Sequence, residues 1–197
     1  IRALKMHGGV EKEALKKEDI NALKKGLVNL DRHISNIKKF GLEPIIAINH
    51  FARDTSKEIN TVLNFCKERR VDVSECKHWA MGGSGAKDLA KKVVKICKKK
   101  RKKFNFLYDE NLKLWDKIEL IAKNIYKAEK ITASDDVKEQ LRKFENNGHG
   151  KLPVCIAKTQ YSFSTDPKLK GAPTNHEIPI RDVRLSSGAE FIVVICG

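Results

Sequence analysis

The chain has 197 residues, 41% apolar and 33% charged, enough for one well-filled core or two modest domains. Its longest apolar run, residues 191–196, is strand-sized and far short of the roughly 18 residues that a membrane span needs, so no membrane partner is expected. A formal charge of +15 calls for polyanionic partners, and composition alone does not separate nucleic acid from small polyanions.

Residues 1–6 read as the tail of a strand, and His7-Gly8-Gly9 as the loop at its end. A long helix is expected over 18–40, because Ile20, Leu23, Leu27, Leu30, Ile34 and Ile37 recur at three- and four-residue steps. Gly41 stops it. Pro44 to Ile48 is a continuous, mostly β-branched run, which predicts a strand buried on both faces. Thr55 then caps a helix over 56–70, with Glu58 three positions on as in a capping box. A short strand over 71–75 leads to Trp79-Ala80-Met81-Gly82-Gly83-Ser84-Gly85, with a new helix beginning near Ser84 or Gly85. The basic run Lys98 to Lys103 reads as a solvated helix end.

From about Phe104 the pattern changes. A brief strand is expected at 106–108, helices over 111–126 and 135–144 (the second capped by Ser134), and a strand over 153–157. A Gly/Pro/Asn-rich loop at 166–175 precedes strands over 178–183 and 191–195. The fold class that follows is α/β: a parallel sheet with helices on both faces over 1–103, then an α+β region over 104–197. Both ends read as cut, as in a piece of a longer protein.

Ligands in open α/β sheets sit beyond the carboxyl ends of strands, which places Asn49, Phe51 and Asp54 where a base or flat ring could be read. Trp79 stands after the next strand, so its indole and the Phe51 ring could face one crevice and sandwich a heterocycle. Both could equally be core aromatics. The glycines at 82–85 permit close backbone approach, but no G-x-x-x-x-G-K-[ST] loop is present. The polar segment 157–164, directly after a strand, is a further candidate loop.

Five scattered cysteines, with no C-x-x-C pair, exclude a zinc or disulfide framework. Cys66, Cys97 and Cys155 lie among apolar neighbours and read as buried thiols of a reducing cytoplasm. The six histidines show no metal-ligand spacing, and no G-x-S-x-G is present, so no metal site and no catalytic residue is assigned.

Taken together, several stretches resemble the formate–tetrahydrofolate ligases, also called 10-formyltetrahydrofolate synthetases. The segments are Arg2 to Gly9, Asn29-Leu30 with His33, Ala47-Ile48-Asn49 with Phe51 and Asp54-Thr55, and Trp79 to Gly85. They continue with Leu152 to Cys155, Ala157 to Ser162, Lys170 to Pro173 and Val183 to Ala189, in order over nearly the whole chain.

The resemblance implies the C-terminal part of a phosphate-loop nucleotide-binding domain over 1–103 and a truncated α+β domain over 104–197. It implies an ATP-dependent ligase in which formate attacks the γ-phosphate of MgATP and the resulting formyl phosphate passes its formyl group to tetrahydrofolate. It further implies a homotetramer and a monovalent cation, potassium or ammonium. Phe51 and Trp79 would flank the pterin, Asn49 and Asp54 would lie near the nucleotide base, and Gly82, Gly83, Ser84 and Gly85 would line the same crevice.

The chain departs from the family in five respects. The phosphate loop with its lysine, the arginine expected to hold formyl phosphate, and the closing Met-Pro-Gly-Leu-Pro segment are absent. Ala52 replaces a proline, and Glu190 stands where a small residue or glycine is expected. The competing reading, a basic nucleic-acid-binding module, rests on the net charge and the lysine run. Against it, the chain is only 7% aromatic and shows no interleaving of rings with basic residues.

Overall fold

The computed structural model describes residues 1–99, 104–157 and 161–197, which form two compact units, Ile1–Asn105 and Phe106–Gly197. Both mix helices with parallel strand pairs, so the α/β class holds.

The first unit opens with helix α1 (Arg2–His7), not with the expected strand tail. Arg, Ala, Leu, Lys and Met are good helix formers, and a six-residue run is too short for periodicity to tell helix from strand. Helix α2 (Ile20–Lys39) follows, its first turn capped by Asp19, whose carboxylate accepts the Ala22 N–H at 2.8 Å. The two helices touch backbone to backbone. A Cβ on Gly8 would lie 1.9 Å from the Ala22 carbonyl oxygen, and one on Gly26 would lie 1.8 Å from that of Leu4. Only glycine allows this approach.

Strand β1 (Ile45–Asn49) runs parallel to β2 (Asp72–Cys76), with Ile45 opposite Asp72 and Asn49 opposite Cys76. Helix α3 (Ser56–Glu68) lies between them in sequence and carries the expected capping box in full: Glu58 N–H to Thr55 Oγ1 at 3.2 Å, and Thr55 N–H to Glu58 Oε2 at 3.1 Å. Leu23 and Leu27 of α2, Ile48 of β1, and Ile59, Val62 and Cys66 of α3 close one core over one face of the strand pair. Truncating Leu23 to alanine there would cost roughly 2–5 kcal/mol. Helix α5 (Lys87–Lys98) covers the opposite face, preceded by a single turn α4 (His78–Met81) and a 3₁₀ segment (Gly82–Ala86). Ser74 Oγ donates to Asp88 Oδ2 at 2.7 Å, and Lys92 Nζ donates to the Val73 carbonyl at 2.6 Å.

Three expectations change here. β1 is not buried on both faces: Ile48 is buried but Ala47 is exposed, because α5 covers that face only in part. The last helix starts at Lys87, three residues later than Ser84, because the glycines favour a 3₁₀ turn over a helical start. Cys66 is buried as read, but Cys97 lies on the outward side of α5 and is exposed. Of the basic run, Lys98 ends α5 and Lys99 caps it, and 100–103 lie outside the described residues.

In the second unit, α6 (Leu114–Ile121) continues into a wide turn (Ala122–Tyr126), so the expected helix over 111–126 begins three residues late. Its start is fixed by Glu145, whose Oε1 accepts the Leu114 N–H at 2.7 Å. Strand β3 (Lys130–Ala133), missed in the sequence, precedes α7 (Asp135–Phe144), which Ser134 caps as expected. Strands β4 (Val154–Ile156), β5 (Glu177–Ser186) and β6 (Phe191–Cys196) complete a sheet ordered β3-β5-β6-β4. Its outer pairs are parallel and β5/β6 is antiparallel.

Residues 106–108 are not a strand. Tyr108 instead extends its hydroxyl to accept the Val154 N–H at 2.9 Å, satisfying a donor on the edge strand β4. Cys155, read as buried, is exposed on that same edge strand. The core joins Leu114, Ile118, Leu141 and Phe144 to Ile178, Ile192 and Val194.

Candidate functional site

The loop after β1 is built from its own backbone and two carboxylates. His50 N–H continues the ladder by donating to the Cys76 carbonyl at 3.0 Å. Phe51 N–H then donates to Asp54 Oδ2, and Asp54 N–H to the Phe51 carbonyl, both at 2.9 Å. Asp54 thus closes a tight turn that presents the Phe51 ring.

Beneath the turn, Glu58 is fully buried and ion-paired with Lys5 at 2.8 Å. The Lys5 ammonium also donates to the carbonyls of Leu15 (2.8 Å) and Lys17 (2.9 Å), and Glu58 accepts the backbone N–H of Asp19 at 3.3 Å as well as that of Thr55. Burial pushes the Glu58 carboxyl up, but the Lys5, Thr55 and Asp19 donors together outweigh it and hold it below its ordinary value. One ion pair therefore fastens α1, the start of α2 and the start of α3 under the loop.

After β2, α4 carries Trp79, whose indole is 77% exposed. The turn is closed by Lys77 N–H donating to the Gly85 carbonyl at 3.0 Å and by Ser84 Oγ donating to the Met81 carbonyl at 2.7 Å. A Cβ on Gly85 would lie 2.5 Å from the Lys77 carbonyl carbon, so that glycine serves chain packing. Gly82, at φ 56°, and Gly83 have nothing within 4 Å of a built Cβ and leave open space.

The two loops bring the rings together. Phe51 and Trp79 have centroids 6.4 Å apart with planes inclined at 44°. The Arg2 guanidinium covers the Phe51 ring at 4.1 Å from its centroid. At the root of both loops, His50 Nδ1 lies 2.5 Å from Glu75 Oε1, and Lys77 Nζ lies 3.1 Å from the same oxygen. Burial raises the Glu75 carboxyl, and the His50 and Lys77 donors more than offset it, so it lies below the usual range.

Of the residues singled out from sequence, Phe51, Asp54 and Trp79 gather here, and Ser84 and Gly85 close the turn behind Trp79. Asn49 ends β1 with its side chain exposed, on the face opposite Ile48. Arg2, Lys5, His50, Glu75 and Lys77 were not found from sequence as parts of a site. The one local signal was the capping glutamate; the rest depends on contacts distant in sequence. Of the candidate loop 157–164, residues 158–160 lie outside the described residues.

Elsewhere, burial pushes the Cys196 thiol up to about 11 and the Tyr126 hydroxyl up to about 12, which leaves both protonated at neutral pH. Among the described residues no group of three or more His, Cys, Asp or Glu side chains could hold a metal ion. None of their helices is long and apolar enough to cross a membrane.

The family model for formate–tetrahydrofolate ligase matches residues 1–197. The chain is 58% identical over its whole length to the formate–tetrahydrofolate ligase of Pelagibacter ubique, covering 35% of that protein. It is 53% identical to that of Methylobacterium nodulans over 36% of its length, and 50% identical to that of Rhizobium johnstonii over 35%. The chain thus spans about a third of these relatives, at 35–36% of their length.

Proposed function

The chain belongs to the formate–tetrahydrofolate ligase family, and from that membership we propose that its first unit supplies the folate-stacking surface and part of the nucleotide site of an ATP-dependent ligase joining formate to tetrahydrofolate. The observation that carries this reading is the Phe51–Trp79 pair at the carboxyl ends of two neighbouring parallel strands, with Trp79 exposed. A flat ring held between two others needs centroids about 7 Å apart, twice the roughly 3.5 Å contact distance. At 6.4 Å and 44°, the pair needs a small opening and a rotation of the exposed indole to admit a pterin.

In this reading Phe51 and Trp79 bury the pterin faces, and Asn49, Asp54 and the open backbone at Gly82 and Gly83 lie toward the nucleotide, with Ser84 and Gly85 shaping the turn. Formate attacks the γ-phosphate of MgATP, and an amine of the folate takes the formyl group from formyl phosphate, leaving ADP and phosphate. Magnesium enters with the nucleotide, and the monovalent cation and tetramer belong to the whole cytoplasmic ligase. The reaction's electrostatic stabilisation comes from a phosphate cradle with its lysine, and this sequence holds no such motif. These 197 residues alone should therefore release no ADP that depends on formate and tetrahydrofolate.

The test uses a Trp115→Phe chain, so that Trp79 is the sole tryptophan. Adding tetrahydrofolate should quench its emission saturably, and Phe51→Ala should abolish the effect. A non-saturating response, or one indifferent to Phe51, would defeat the reading.

A further inference from the structure

We propose that Arg2 is the oxyanion-binding residue of the aromatic site, holding a carboxylate or phosphate group of the ligand whose flat ring lies against Phe51. The inference rests on the ring-stacking reading of Phe51 and Trp79 and adds what else on the ligand is recognised.

Arg2 is placed by rigid structure. α1 is locked against α2 through Gly8 and Gly26, and Lys5, one turn after Arg2, is tied to Glu58 beneath the aromatic loop. Arg2 and Lys5 thus project toward the same segment, Lys5 to its base and Arg2 to the Phe51 ring. A cation in the first turn of a helix gains nothing from the helix dipole, so local helix energetics do not explain Arg2.

The same unit contains the completed form of this arrangement. Arg69 lies over the Phe65 ring at 5.0 Å, and its Nε and Nη2 donate to the two carboxylate oxygens of Asp31 at 2.7 and 3.2 Å. A guanidinium stacked on a ring keeps its N–H donors in its own plane, where they grip a carboxylate in bidentate fashion. Arg2 has the stacked ring but, among the described residues, no carboxylate and no hydrogen-bond acceptor. Arg2 is exposed beside Phe51, and an oxyanion on the bound ligand would complete the set. Two sources share this chemistry, the glutamyl carboxylates of a folate and the phosphates of a nucleotide.

The experiment titrates three probes into the Trp115→Phe chain and its Arg2→Gln and Arg2→Lys variants, following Trp79 emission: tetrahydrofolate, a tetrahydropterin without the benzoylglutamate tail, and ATP. Arg2→Gln should weaken tetrahydrofolate or ATP by about tenfold or more while leaving the tail-less pterin within about twofold. Arg2→Lys keeps the charge but not the fork and should fall between. Whichever anionic probe responds identifies the source. Equal loss for the pterin, or no loss for any probe, overturns the assignment and leaves the aromatic site standing. A parent chain that responds to none of the three overturns both.

Discussion

Each unit buries a lysine, and the two differ in what meets the ammonium. Lys5, 1% exposed, meets the Glu58 carboxylate and two carbonyls. Lys117, fully buried, meets the carbonyls of Gly150 (2.8 Å) and Leu152 (3.1 Å) and the face of Tyr108, with no carboxylate in contact among the described residues. Burial therefore pulls Lys117 below the ordinary lysine value, and the more distant Glu110, Glu145 and Asp109 only partly restore it. The first unit fastens a loop that carries candidate binding groups with a complete charge pair. The second fastens a turn beside an edge strand with neutral acceptors. Buried lysines are structural ties whose strength depends on whether a carboxylate arrives with them.

The largest expected effect breaks the complete pair. Glu58→Ala strands a buried ammonium and should cost about 3–5 kcal/mol in urea unfolding followed for the first unit by hydrogen exchange. Lys5→Met combined with Glu58→Leu should recover most of that loss; no recovery would show that the pair's geometry matters more than its charge. Lys117→Met leaves two carbonyls without a donor but also removes a charge that burial disfavours. It should cost less, about 1–3 kcal/mol, measured in the same way for the second unit.

Both ties should strengthen their unit as pH rises, in two separate windows, one acid and one alkaline. The Glu58 carboxyl is held below its unfolded value, so its stabilisation is complete above about pH 4.3 and is lost as pH falls through the folded value. Lys117 is a base with a lowered folded value. The unfolded chain binds its proton more tightly, so the second unit should gain stability as pH climbs from that value toward about 10.4. Hydrogen exchange resolved by segment, in native conditions, reads both windows in one experiment.

The smallest effect sharpens the second unit alone. Glu190 adopts a left-handed backbone, φ 55° and ψ 49°, just before β6. This gives a physical reason for the glycine expected there. Glu190→Gly should raise the melting temperature, worth about 0.5–1 kcal/mol, and an unchanged melting curve would show that the turn carries no strain.

Long amphipathic or strongly punctuated elements were legible in the sequence. The stripe from Ile20 to Ile37, the Thr55–Glu58 capping box and the apolar run of β6 each carry their own local signal. α1 was misread because six residues do not reveal a period, and β3 was missed because its four residues sit among lysines and a glutamate. Cys97 and Cys155 were misread because apolar neighbours in sequence do not say which side of a helix or which edge of a sheet a thiol occupies. At the candidate site the aromatic pair was readable as two rings after two strands. Arg2, His50 and the Lys5–Glu58 pair were not, since a lone arginine, histidine or lysine looks solvated until a distant segment folds against it.

The most direct test of the account is a calorimetric binding isotherm for tetrahydrofolate on this chain and on Phe51→Leu/Trp79→Leu. The account predicts one saturable site on the parent chain and a loss of about a hundredfold or more in the double variant, the share of two stacked aromatic faces. Equal affinity in the two chains would contradict it.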